Sequence, residues 1–329
     1  MALSLTAAAC GGDSGGSVDG GDDLSGTVVI SGSSTVEPIS IGVAEKFGQL
    51  APGVDVSVDG PGTGDGFELF CQGEIDVSDA SRAITEEEIA ACEEAGVEFI
   101  ELKVAIDGIA VLTSPNNSQV EDCLSYGDIY SLVGPESQGF DQWSAANAIA
   151  TDIGDSQATP FPDVPLVVTG PGEESGTYDS FVELVIEGLA EDRAQEAQTR
   201  PDYQASGDDN VIVQGITGSD TSFGWVGYAF YDINREELKA FEIASESGEC
   251  VEPNPETIAS GDYPISRPLF IYVNAENLEA NPALEQYVDL YLSDDGLTTV
   301  SEVGYVDLGE DELEATRTAW EDRTTGTRE

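Results

Sequence analysis

The chain contains no histidine, a single methionine and only 11 Lys and Arg against 65 Asp and Glu. The missing histidine removes the Ser-His-Asp triad, the His-containing zinc sites and the commonest general base in one step. So few basic residues, under a formal net charge of −54, exclude nucleic acid and anionic lipid surfaces as partners. Nowhere do about 18 uncharged apolar residues follow one another, so the sequence offers no membrane-crossing helix. The acidity itself reads as a solvated surface, of the kind that suits a saline exterior where screening over a few ångströms weakens self-repulsion. What is present is ample for folding. Hydrophobic residues make up 40% of the 329, in short blocks, which suits a chain of two domains with real cores.

Residues 11–25 are Gly, Ser and Asp apart from Val18 and Leu24, and read as a flexible tether. The acidic Asp19, Asp22 and Asp23 within it read as solvated, and no metal or cofactor is expected. Beyond the tether, strand, loop and helix recur: a strand over 27–30, a helix entered at Pro38, a strand over 54–58, a helix through Phe67 and Phe70, a strand over 75–77, a helix over 86–95 and a strand over 97–102. The pattern is that of an α/β fold with a mainly parallel sheet. Residues 104–112 form an apolar run broken at Asp107-Gly108, read as a strand crossing to a second lobe, and residues 268–273 read as the strand that returns. The expected architecture has residues 26–107 plus 268–329 in lobe 1 and 108–267 in lobe 2, with a ligand cleft between lobes joined by two crossovers. In the second lobe, strands are expected over 166–169 and near 224–228, and helices after Ser175 and over 211–217; residues 284–293 and 310–323 complete the first lobe as helices.

Four segments share one chemistry at expected strand-to-helix junctions: Gly32-Ser33-Ser34-Thr35, Gly62-Thr63-Gly64-Asp65-Gly66, Ala80-Ser81-Arg82 and Glu174-Ser175-Gly176-Thr177. Singly, each is a turn or a helix cap. Together, hydroxyls, free N–H groups at helix starts and one guanidinium are what a small tetrahedral oxyanion needs. In so acidic a chain such a site must rest on local dipoles, because the global field opposes it. Trp225, Tyr228 and Tyr231 read as core aromatics with the cleft as their alternative place.

Cys10 ends the small-residue run Leu5-Thr6-Ala7-Ala8-Ala9 and is followed by Gly11-Gly12. This resembles the end of a bacterial lipoprotein signal, which implies an exported chain lipidated at Cys10 and held at the outer face of the cell membrane; Ala7 stands where leucine is usual. Cys71, Cys92, Cys123 and Cys250 allow three pairings, and their spacing fits no zinc site. Cys71–Cys92 with Cys123–Cys250 is preferred, since each pair then lies within one lobe.

The string Ile30 to Pro38, the Gly62 to Phe67 loop, Asp76 to Arg82 and Gly170 to Tyr178 occur in the order found in the substrate-binding lipoproteins of ABC phosphate transporters. The chain resembles the PstS family and its SphX-like branch, and Ser206 to Gly215, Gly227 to Tyr231 and Ser266 to Tyr272 extend the likeness. The resemblance implies a two-lobed periplasmic-binding-protein fold of the type II kind. It also implies a monomeric receptor that binds inorganic phosphate and delivers it to a permease without making or breaking bonds. Carried over by position, Ser34, Thr35, Thr63, Ser81, Arg82, Ser175, Gly176 and Thr177 are the expected phosphate ligands. Two departures stand out. Arg82 occupies the place of an aspartate that accepts the ligand's proton, and Pro171 and Gly172 occupy the place of an arginine. Arg82 is therefore expected to supply the cation, and Asp208 or Asp209 to accept the proton. The alternatives are a receptor of the same fold for sulfate, molybdate or a phosphonate, and an extracellular hydrolase that uses only carboxylates.

Overall fold

The computed structural model describes residues 24–173 and 175–328; Cys10, nearly all of the tether and Glu174 lie outside them. The first lobe opens with β1 (Gly26–Gly32), α1 (Glu37–Leu50), β2 (Val54–Asp59), α2 (Thr63–Cys71), β3 (Val77–Ala80), α3 (Glu86–Ala95) and β4 (Phe99–Thr113). Local signals set most of these limits. Pro38 sits in the first turn of α1, where its missing N–H costs nothing, and a capping box between Thr85 and Glu88 starts α3, which Gly96 ends in the left-handed region.

The chain then builds β5 (Cys123–Leu124), α4 (Tyr126–Val133), α5 (Asn147–Ile153), β6 (Val167–Gly170), α6 (Gly176–Phe181) and α7 (Glu187–Asp192). A π-helical stretch, Val182–Ile186, joins α6 to α7 into one helical run. After it come β7 (Gln204–Ala205), α8 (Asp209–Thr217), β8 (Ser222–Gly227), α9 (Tyr228–Asn234), β9 (Lys239–Ala240), β10 (Glu242–Ala244), β11 (Cys250–Val251) and α10 (Pro255–Ala259). The return leg is β12 (Ser266–Asn274), followed by α11 (Ala275–Ala280), α12 (Pro282–Tyr291), α13 (Asp294–Glu302) and α14 (Glu310–Glu321).

A curled sheet runs in the order β2-β1-β3-β12-β4-β8-β6-β7, with β9 beside β4. Its ends are parallel as the sequence implies, β1 against β2 and β3, and β6 against β8 and β7. The middle is antiparallel: β12 lies between β3 and β4 and opposes both. The strand that leaves one lobe and the strand that returns must run in opposite directions when they lie side by side, so a wholly parallel sheet is not available to this topology. Residues 97–102 and 104–112 do not form two strands. They fuse into the 15-residue β4, whose first part pairs with β12 and whose last part pairs with β8. Asp107 does not break it, because Arg267 stands directly opposite in the register.

Hydrophobic cores fall on either side of this junction. One gathers residues from Ile106 to Ile265, including Trp143, Phe223, Trp225 and Phe241; the others gather residues before Ile106 and after Ile265, around Ile30, Phe67, Tyr272 and Tyr287. Trp225, Tyr228 and Tyr231 are all buried in the first of these. Both expected disulfides are present: Cys71–Cys92 ties α2 to α3, and Cys123–Cys250 ties β5 to β11 at the edges of a small sheet in the order β11-β10-β5. Among the described residues no helix is long and apolar enough to cross a membrane.

Candidate anion-binding site

The turn between β1 and α1 is built by close backbone approach. Gly32 has φ +144°, and a Cβ there would lie 2.1 Å from the Asp79 carbonyl oxygen, so only glycine fits. Ser33 N donates to that same oxygen at 2.9 Å, and Val36 N and Glu37 N donate to Ser33 O, which shapes the start of α1. Ser33 and Thr35 are buried and Ser34 is partly open.

The Gly62 loop docks onto this turn: Gly62 N donates to Gly32 O at 2.8 Å, and Gly66 packs so tightly that a Cβ would lie 2.5 Å from Gly32 Cα. Thr63 opens α2, and its Oγ1 lies 3.0 Å from Ser81 Oγ and accepts from Ser81 N at 3.2 Å. Thr63 and Ser81 therefore form one unit beside the Ser33–Thr35 turn.

The second lobe meets the same turn through α6. Ser175 caps the helix by accepting from Thr177 N, and a Cβ on Gly176 would come within 3.8 Å of Thr35 Cα, 3.6 Å of Ser34 O and 3.3 Å of the Tyr305 hydroxyl. The Ser34 hydroxyl donates to Asp179 Oδ2 at 3.0 Å, and Thr35 Oγ1 lies 3.1 Å from Ser180 Oγ. Ser34, Thr35, Ser175, Gly176 and Thr177 thus converge from two lobes, with the Thr63–Ser81 pair alongside.

Arg82 is engaged elsewhere. Its two terminal nitrogens reach the Glu88 carboxylate at 2.8 and 2.9 Å, and the guanidinium lies over the Phe67 ring. The hydrogen bond to Glu88 first, and a lesser pull from Glu183, hold its pKa above the usual guanidinium range. The cation at the convergence is Arg267, on β12. Nη2 donates to Thr35 Oγ1 at 3.2 Å and to Ser180 Oγ at 3.0 Å, Nη1 pairs with Glu183 Oε2 at 2.6 Å, and Nε lies 3.5 Å from Asp107 Oδ2. The Arg267 and Asp107 side chains are 8% and 2% exposed. Burial pushes the Asp107 carboxyl up, against the downward pull of Arg267. Sequence reading passed over Arg267, Asp107 and Ser180. The available signal was an arginine immediately before the apolar run 268–273, in a chain with so few basic residues.

Asp208 and Asp209 sit at the start of α8. Asp208 is exposed and caps that helix, accepting from Asn210 N at 2.9 Å. Asp209 is partly buried, its carboxyl raised by desolvation and by Asp208, and it lines a cavity of about 490 Å³ with Tyr228, Gly304, Tyr305 and Asp307. Asp79 lies directly below the Ser33 turn, wholly buried, accepting from Ser40 Oγ at 2.9 Å; burial pushes its carboxyl up to about 8. Among the described residues no group of three or more Cys, Asp and Glu is placed to hold a metal ion.

Comparison with known proteins identifies the family. The family model described as a PBP superfamily domain matches residues 17–295. SphX of Synechocystis is 36% identical over 288 residues, which is 87% of this chain and 79% of that protein. The phosphate-binding protein PstS of Staphylococcus epidermidis is 33% identical over 93% of this chain and 86% of its own length. A solved structure, a possible phosphate binding protein from Planctomyces limnophilus, superposes with a TM-score of 0.82 at 36% identity, covering 92% of this chain and all of that one. The two-lobed fold, the convergence of Ser34, Thr35 and α6, and these likenesses place the chain in the PBP superfamily, in the family of SphX and the phosphate-binding protein PstS.

Proposed function

We propose that the protein is a receptor that captures inorganic phosphate outside the cell membrane and hands it to the permease of an ABC transporter. The observation that carries the reading is the meeting of hydroxyls from both lobes on one buried guanidinium, Thr35 and Ser180 on Arg267. A tetrahedral oxyanion entering there takes donors from Ser34 and Thr35, from Thr63 and Ser81, from the hydroxyls of Ser175 and Thr177, and from the amide of Gly176. Arg267 supplies the positive charge, in place of Arg82, which Glu88 holds. Of the expected pair, Asp208 is committed to its cap, which leaves Asp209 as the proposed proton acceptor. The relatives named for phosphate binding support the choice of anion.

Residues 26–107 with 268–329 act as one lobe and 108–267 as the other, and closure bends β4 and β12 where the two cores divide. The protein acts as a monomer and makes and breaks no bonds. Its anchor to the outer membrane face is a lipid on Cys10. Calorimetric titration of anion-stripped protein with phosphate, repeated in excess sulfate, tests the reading. Tight one-to-one binding that sulfate does not displace is expected. Heat with sulfate or molybdate and none with phosphate would keep the fold and overturn the ligand.

A further inference from the structure

Two carboxylates of the second lobe already hold groups that an entering anion needs. Asp179 and Glu183 lie four residues apart on the helical run that opens at Gly176, so they share a face. Asp179 Oδ2 accepts the Ser34 hydroxyl at 3.0 Å, and Glu183 Oε2 pairs with Arg267 Nη1 at 2.6 Å. A carboxylate oxygen offers these donors the same negative, lone-pair-bearing acceptor that a phosphate oxygen does. Neither carboxylate is a buried structural partner: Asp179 is exposed, and the Glu183 side chain is 43% exposed against 8% for Arg267.

We infer that Asp179 and Glu183 are built-in competitors that set the affinity of the anion site, occupying Ser34 and Arg267 until the anion displaces them. This rests on the function proposed above. The arrangement does two things at once. It keeps the guanidinium and the hydroxyl in place across the cleft, Ser34 from the first lobe held by Asp179 from the second. It also imposes a cost on capture, since both carboxylates must be released to water and their charges left beside the incoming anion. Because both are solvent-accessible, release is cheap, and each contact lowers affinity by about fivefold.

The test compares phosphate titrations of the wild type, Glu183→Asp, Glu183→Gln and Asp179→Asn, with Glu191→Gln on an exposed stretch of the same helical run as the control for charge alone. Glu183→Asp is decisive, because it keeps the charge but shortens the side chain by one methylene and withdraws it from Arg267. Tighter binding in Glu183→Asp, Glu183→Gln and Asp179→Asn, with Glu191→Gln unchanged, is expected. Tightening in Glu183→Gln without tightening in Glu183→Asp would mean that only the field of the carboxylate matters, and would overturn the inference. Weaker binding in any of the three would also overturn it, since the carboxylate would then help to hold the anion. A wild type that binds no phosphate would instead remove the proposed function itself.

Discussion

Replacing Arg267 by methionine separates the two roles its position gives it. The side chain is 8% exposed and touches Thr35, Ser180, Glu183 and Asp107, so the proposed anion site and the fold both draw on it. For binding, charge-assisted hydrogen bonds are worth about 1.5–3 kcal/mol each. Two such bonds from the guanidinium to a bound anion make about 3–6 kcal/mol, or about 10²- to 10⁴-fold in Kd. For stability, removing one partner of a buried pair costs about 3–5 kcal/mol. That cost falls on Asp107 rather than on Glu183, whose exposed carboxylate returns to water. It is reduced by proton uptake, since burial already pushes the Asp107 carboxyl up. The double variant Arg267→Met, Asp107→Asn therefore regains most of the lost stability. It regains none of the binding. Urea unfolding measures the first quantity and calorimetric titration with phosphate the second. A double variant that unfolds like wild type and binds phosphate within about threefold of the wild-type Kd would refute the placing of the cation at Arg267.

Two further outcomes follow from the charges. Burial, opposed by the Ser40 hydrogen bond and reinforced by Glu37, raises Asp79 from the ordinary 3.8 to about 8 in the folded protein. Its stability contribution is therefore full below about pH 4 and is lost as pH rises towards 8, at about 1.4 kcal/mol per pH unit. Asp79→Asn should gain on wild type in urea midpoint between pH 5 and pH 8, and an equal difference at both pH values would show that another group titrates. With a net charge of −54 the protein's far field repels anions, so the association rate with phosphate should rise with ionic strength in stopped-flow mixing. A rate that falls with salt would mean that local positive dipoles dominate the approach.

The sequence by itself determined the elements whose causes are local. Pro38, the Thr85–Glu88 capping box and Gly96 set helix limits through contacts with near neighbours, and β1, β2 and α3 follow from runs and periods within ten residues. It also placed hydroxyls and glycines at the strand-to-helix junctions, which is a local code, and motif order carried the family. Tertiary structure decided the rest. Asp107 and Asp79 are charged residues that local reading puts in breaks or loops; both are buried in strands, one opposite Arg267 and the other against Ser40. Arg267 stands 232 residues from Thr35, and no local pattern relates them. Which of two arginines meets the Thr35–Ser180 pair was decided by Glu88, which captures Arg82, and by β12, which brings Arg267 beside β4. Local propensity is written in neighbouring residues, whereas the pairing of a buried charge exists only once distant strands lie side by side.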